Sequence, residues 1–126
     1  MKKELENRKD IELLINQFYE KVRKDKLLAP IFNDIANINW ETHLPRMYDF
    51  WEGLLFGNSH YTGNPMLVHI ELDKKIMLLP EHFEQWKKLF FETLDELFQG
   101  NKVEETKAKV NSIASVMLHK VKSMRN

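Results

Sequence analysis

The sequence predicts an all-α domain. Three observations carry that prediction. Apolar residues recur at helical spacing through every long segment, no segment alternates with the period of two that a half-buried strand needs, and the β-branched residues lie within the helical stripes. A length of 126 residues suits one domain, spanning residues 1–126, and no linker, repeat or low-complexity stretch divides it. With 43% hydrophobic and 30% charged residues, the chain can fill a core and does not read as disordered. About six helices are expected.

Ile11, Leu14, Ile15, Phe18 and Val22 form one stripe of a 3.6-residue helix. Pro30 ends the next stretch at Leu28 or Ala29, and Ile31, Phe32 and Ile35 make a short apolar turn. Trp40, His43, Leu44, Met47, Trp51 and Leu54 form a second stripe, interrupted by Pro45. A proline there removes a backbone donor and disfavours a helical Leu44, so the long helix is expected to start at Pro45 or to bend just after His43. Residues 57–65, GNSHYTGNP, form a loop rich in turn residues. Pro65 suits the first position of a short helix carrying Met66, His69 and Leu72. Pro80 opens the next helix, with Phe83, Trp86, Phe90, Leu94 and Leu97 on its face, and Gly100 is expected to end it. Asn101 with Glu104 resembles a capping box, and Val103, Val110, Ile113, Ala114, Met117 and Val121 form the last stripe.

Charge and cysteine content narrow the function. Nineteen basic residues cancel nineteen acidic ones, so the chain has no built-in attraction to nucleic acid. Lys21, Arg23, Lys24 and Lys26 interleave with Glu20 and Asp25 as on a solvated face, and Lys120, Lys122 and Arg125 suit a frayed basic helix end. No apolar run approaches the roughly 18 residues that span a bilayer, and MKKELENRKD has no apolar stretch behind it to make a secretory signal. No membrane association and a cytoplasmic location are expected. The absence of cysteine excludes disulfides, thiolate nucleophiles, thiolate-ligated zinc or iron–sulfur clusters, and thioether attachment of haem.

Any metal chemistry must therefore rest on five histidines and on carboxylates. No Glu-x-x-His pair of the di-iron bundles is present, nor the zinc-protease pattern His-Glu-x-x-His, nor two histidines four apart. His69 and Asp73 stand at i, i+4, a weak metal signal without further ligands. There is no serine elbow, phosphate-binding glycine loop or dinucleotide fingerprint. Histidine as a single axial ligand remains. His69 lies between Met66 and Leu72 on one apolar face, and His43 between Trp40 and Met47 on another. One histidine on an apolar stripe is more often a satisfied core residue than a ligand. Two on separate helices among many aromatics suit a porphyrin slot, which needs apolar walls, one neutral imidazole and cations at its rim.

Four segments carry a more specific signal: FYEKVRKDKLLAPIF (18–32), THLPRMYDFWEGLLFG (42–57), YTGNPMLVHIEL (61–72) and EHFEQWKKLFFETL (81–94). In that order, across roughly residues 10–100, they resemble the truncated haemoglobins of group III. Gly-Gly pairs, frequent in groups I and II, are missing. The resemblance implies a two-over-two helical sandwich around haem b, the shortened form of the globin fold, whose proximal histidine is a standard haem ligation.

It further implies His69 as the proximal iron ligand and Tyr19, His43 and Trp86 as the polar distal pocket. Phe32 would prop the ring edge, with Met47, Met66 and Leu72 against the ring and Arg46 pairing with a propionate or remaining a solvated helix charge. His43 could donate to the ligand, coordinate the iron or swing as a gate. Spacing alone would leave Trp86 in the core and Tyr19 at the edge of the first stripe. Trp51 and Tyr48 read as packing residues. The stretch between His69 and Trp86 is long for the family, so His82 competes for the axial position. His69 is preferred because Met66 and Leu72 would pack beneath the ring, whereas His82 stands in a first helical turn beside two acids.

The functional expectation is reversible binding of dioxygen or other diatomic gases. A second possibility is an enzyme that removes nitric oxide or peroxide, drawing electrons from an external reductase because the chain holds no reductase domain. A third is a cofactor-free helical interaction domain. Monomer or weak homodimer is expected.

Overall fold

Helix α1, Arg8–Lys24, is the first predicted stripe realised in a computed structural model that describes residues 2–57 and 63–125. Asn7 caps it by accepting the Asp10 amide proton at 3.1 Å, and Lys21, Arg23 and Lys24 complement the dipole of its last turn. Its apolar face, Ile11, Leu14, Ile15, Phe18 and Val22, is fully buried. Asp25 ends the helix, and its carboxylate accepts from the amides of Leu27 and Leu28 at 3.1 and 3.0 Å. The chain then makes one π-helical turn, Pro30–Ile35, with Ile31 buried. Such turns widen the backbone locally and occur disproportionately at functional sites.

Helix α2 runs from Trp40 to Phe56 with Pro45 inside it, so a start at Pro45 is overturned. The reason lies at Asn39. Its side chain accepts from the Glu41 amide at 3.1 Å, and its carbonyl accepts from the Thr42 and His43 amides at 3.2 and 2.9 Å. The first turn is thus complete before Pro45 withholds a donor, and Glu41 is exposed, so its unclaimed carbonyl can be hydrated. At the other end Gly57 closes the helix in the left-handed region, φ 84°. The final carbonyls of α2 are met by lysines of a distant helix: Lys109 Nζ donates to Leu54 O at 2.7 Å and Lys102 Nζ to Leu55 O at 3.2 Å. Part of the expected 57–65 loop, residues 58–62, lies outside the described residues.

Helix α3, Pro65–Lys75, starts at the predicted proline, and Asn64 caps it by accepting the Leu67 amide proton at 3.0 Å. Helix α4, Pro80–Leu97, likewise opens on its proline. It ends at Leu97, before Gly100, because Phe98 turns extended and the Gln99 amide bonds the Lys3 carbonyl at 3.0 Å. The N-terminal arm thus lies against the segment that follows α4, with Leu5 buried in the core.

Helix α5, Asn101–Ser123, is not capped by Asn101, which is already its first residue. Glu4 instead accepts the Lys102 amide proton at 2.7 Å. Gly100 stands at φ 112°, and a Cβ there would run into the Glu4 carboxylate. Gly100→Ala should therefore combine left-handed backbone strain with loss of a cap, about 1–3 kcal/mol. Urea unfolding of the two proteins measures it, and an unchanged midpoint would refute the account.

Among the described residues there are five α-helices and no strand. Helices α1 and α2 pack as one pair and α4 and α5 as the other, joined by the α1–α4 contact, while α3 packs on α5. This is the two-over-two sandwich. None of the helices among the described residues is long and apolar enough to cross a membrane.

Candidate functional site

A cavity of about 560 Å³ opens between the two helix pairs. Each element contributes a wall. Tyr19 comes from α1, Ile31 and Phe32 from the π turn, and His43, Arg46, Met47 and Trp51 from α2. Pro65, Val68, His69, Leu72 and Lys75 come from α3, Phe83 and Trp86 from α4, and Ile113 and Met117 from α5. The volume falls within the roughly 300–1,000 Å³ of small-molecule and cofactor sites, and the walls are predominantly apolar.

Among the described residues three histidines, His43, His69 and His82, line this cavity, and their hydrogen bonds separate them chemically. His69 Nδ1 lies 2.6 Å from the Pro65 carbonyl. A carbonyl only accepts, so Nδ1 carries the proton, and Nε2 is left as a lone-pair nitrogen with no partner among the described residues. Burial lowers the His69 pKa against the pull of that carbonyl, which favours the neutral ring. His82 is the reverse: its Nδ1 accepts the Leu79 amide proton at 2.9 Å, so in the neutral ring Nε2 is protonated and offers no lone pair.

His43 Nε2 lies 3.4 Å from the Tyr19 hydroxyl, with the rings edge to face at 5.3 Å. Burial, then the charge of Arg46 and the nearby His69 ring, which disfavours a second proton in the cavity, pushes His43 down to about 4, so it is neutral at pH 7. Tyr19 is buried, and that burial raises its pKa and keeps the phenol protonated. Phe32 and Trp40 flank it at 6.1 and 5.2 Å between ring centroids. Trp86 sits edge-on to Phe18 at 5.8 Å and tilted on Phe90 at 5.6 Å. Its indole N–H has no hydrogen-bond partner among the described residues, so the ring is packed while its donor stays unused.

The structure thus brings Tyr19, Phe32, His43, Arg46, Met47, His69, Leu72 and Trp86 to one cavity. Met66 is not among its walls; it lines a second, shallower depression with Phe50, Asn64 and Val116. Helical geometry explains this. The cavity face of α3 runs from His69 through residues 65, 72, 68 and 75 to Glu71 and Leu67, and position 66 lies on the other side of His69 from that face. Lys75 is a site residue that sequence reasoning missed, although it extends the stripe by three residues. Trp51, read as packing, also walls the cavity while lying 4.8 Å from Phe90. Arg46 and Lys75 are exposed at the wall, and neither has an acidic partner among the described residues. Asp73 is not a partner for His69 in metal binding: its carboxylate holds Arg125 at 2.7 and 3.0 Å and the Leu78 amide at 2.8 Å. No group of three or more His, Asp or Glu side chains among the described residues could hold a metal ion.

Comparison with known proteins agrees with this architecture. Residues 4–121 match the model of the family described as "Bacterial-like globin". The group 3 truncated hemoglobin of Campylobacter jejuni is 41% identical over 101 residues, covering 78% of this chain and 77% of that one. The crystal structure of the group III truncated hemoglobin from Campylobacter jejuni superposes with a TM-score of 0.85 at 35% identity, covering 96% of this chain and 95% of that one. The 2/2 hemoglobin from Synechococcus sp. PCC 7002, solved in the cyanomet state with covalently attached heme, gives a TM-score of 0.80 at 23% identity, covering 93% of each chain. At that identity the likeness supports the fold alone.

Proposed function

The chain belongs to the bacterial-like globin family, among the group III truncated haemoglobins, and from that premise we propose that it binds dioxygen or another diatomic gas reversibly on haem b. Membership implies a haem-binding globin; the haem type, the ligand and the residue roles below are our reading. One observation carries it. On the wall of a cofactor-sized apolar cavity stands a half-buried neutral imidazole, His69, whose Nδ1 proton is committed to Pro65 and whose Nε2 has no partner among the described residues. The residues present fit the group. His69 would hold its iron, Phe32, Met47 and Leu72 its ring, and the unpaired Arg46 and Lys75 its propionates.

Haem, when bound, would supply an iron able to take up a small gas. What the chain adds is selective polarity. Tyr19 keeps its phenolic proton because it is buried, and Trp86 keeps an unused N–H beside the same space. Neutral His43 brings no charge into the cavity, and its Nε2 lies within reach of the Tyr19 hydroxyl. Its ring can steady that hydroxyl or take part in ligand contact itself. The apolar remainder excludes bulk water, which strengthens each donated hydrogen bond.

Purified protein is expected to be red, with a Soret band that shifts reversibly between reduced gas-free and dioxygen-equilibrated samples. A colourless protein that does not take up added haemin would overturn this reading in favour of a cofactor-free domain. Rapid nitrate formation on mixing the oxygenated ferrous protein with nitric oxide, sustained by an added reductase, would move the function to an enzyme. A monomer or weak homodimer in the cytoplasm is the setting we propose.

A further inference from the structure

The helix that carries His69 is the least deeply anchored in the fold. None of the α3 residues is buried, and its main packing partner is α5. Its N-terminal end is tied by the Asn64 cap, and the His69–Pro65 bond lies wholly within α3, so the imidazole moves as the helix moves. Its C-terminal end is held by a different device. Asp73, one turn beyond His69, accepts from Arg125 Nε at 3.0 Å, from Arg125 Nη2 at 2.7 Å and from the Leu78 amide at 2.8 Å. Arg125 Nη2 also donates to the Leu78 carbonyl at 2.7 Å. The terminus expected to fray is therefore clamped. One guanidinium near the end of the chain joins the last turn of α3, the turn into α4 and the end of α5.

We propose that Arg125, acting through Asp73, is a positioning residue for His69: it fixes the last turn of α3, and with it the bearing of the imidazole. This rests on His69 being the axial ligand. Three observations favour positioning over general stabilisation. The pair is bidentate, and such forks fix direction as well as distance, unlike most surface ion pairs. Asp73 and His69 share a helical face, so the clamp acts one turn from the imidazole. Leu78, held by the same two side chains, is itself a buried wall of the cavity. Lysine in place of Arg125 would keep the charge and lose the fork.

The holoprotein tests this through haemin transfer to an excess of a scavenging apoglobin, and through the iron–histidine stretching band of the reduced protein in resonance Raman. Arg125→Ala and Asp73→Asn should each speed haemin loss about tenfold, the scale on which outer partners of metal ligands act. The double variant should be no faster than the quicker single one, and the stretching band should shift or broaden. Arg125→Lys should recover little. Asn7→Ala, which uncaps α1 on the other helix pair, is the control: it should lower the apoprotein's thermal midpoint yet leave haemin loss within about twofold. Unchanged loss and an unchanged band in both single variants overturn the proposal, as does equal acceleration by Asn7→Ala at a matched midpoint. If His69→Ala keeps the parent spectrum, the axial-ligand reading has failed instead.

Discussion

His69→Ala should yield a folded helical protein that no longer retains haem. The fold tolerates the change because α3 contributes no buried residue to the core, whose side chains come mainly from the N-terminal arm, α1, α2, α4 and α5. Retention does not tolerate it, because Nε2 of this ring is the free lone pair that hydrogen bonding leaves on the cavity wall. Outer partners of metal ligands are commonly worth about 10–100-fold in affinity, so removing the ligand itself should exceed about a hundredfold. Titration of haemin into the apoprotein measures this, and added imidazole, which fits the space left by the side chain, should restore much of the parent spectrum. His82→Ala is the contrast. That ring accepts a backbone proton at Nδ1 and caps α4, so its loss should lower stability modestly and leave the haem spectrum as it was. Retained haem in His69→Ala with loss in His82→Ala would reverse the assignment.

Most of the fold was legible because amphipathic periodicity and proline are local signals. Ile11–Val22, Pro65 and Pro80 each announced an element at the position where it occurs. The start of α2 was hidden by a local cap at Asn39, whereas the boundaries around α4 and α5 share another cause, a partner distant in sequence. Glu4 caps α5 in place of Asn101, and Lys3 draws Phe98 and Gln99 out of α4 before Gly100 is reached. Arg125 looked like a frayed cation because nothing within a helical turn pairs with it; its partner is Asp73. At the site, residue types and the order of segments singled out the polar groups. Which imidazole nitrogen is free depends on backbone geometry at Pro65 and Leu79, which no spacing reveals. Met66 shows the limit from the other side, since flanking a functional residue by three positions does not place a side chain in the same wall.

Tyr19→Phe and Trp86→Phe should each raise the dioxygen off-rate by about one to two orders of magnitude. That size comes from the chemistry of the donors. A diatomic ligand that gains partial negative charge accepts hydrogen bonds worth roughly 1.5–3 kcal/mol each, and about 1.4 kcal/mol is tenfold in rate or affinity. Tyr19 is a protonated phenol held between Phe32 and Trp40, and Trp86 holds an unused N–H against Phe18 and Phe90. Both rings are fixed by packing, so neither donor must be ordered when the ligand arrives, and nearly all of the hydrogen-bond energy goes into slowing its departure. Phenylalanine keeps most of that packing at position 19. At position 86 it also leaves a gap, so the tryptophan variant should lose some stability as well, about 1–3 kcal/mol on the scale of core truncations. Carbon monoxide, a less polar ligand, separates the two effects: a lost hydrogen bond should leave its off-rate nearly unchanged, whereas a loosened pocket should alter both gases alike. Stopped-flow displacement measures both rates. If the dioxygen off-rate stays within twofold of the parent in both variants, these donors do not face the ligand and the polarity of the pocket must rest on His43.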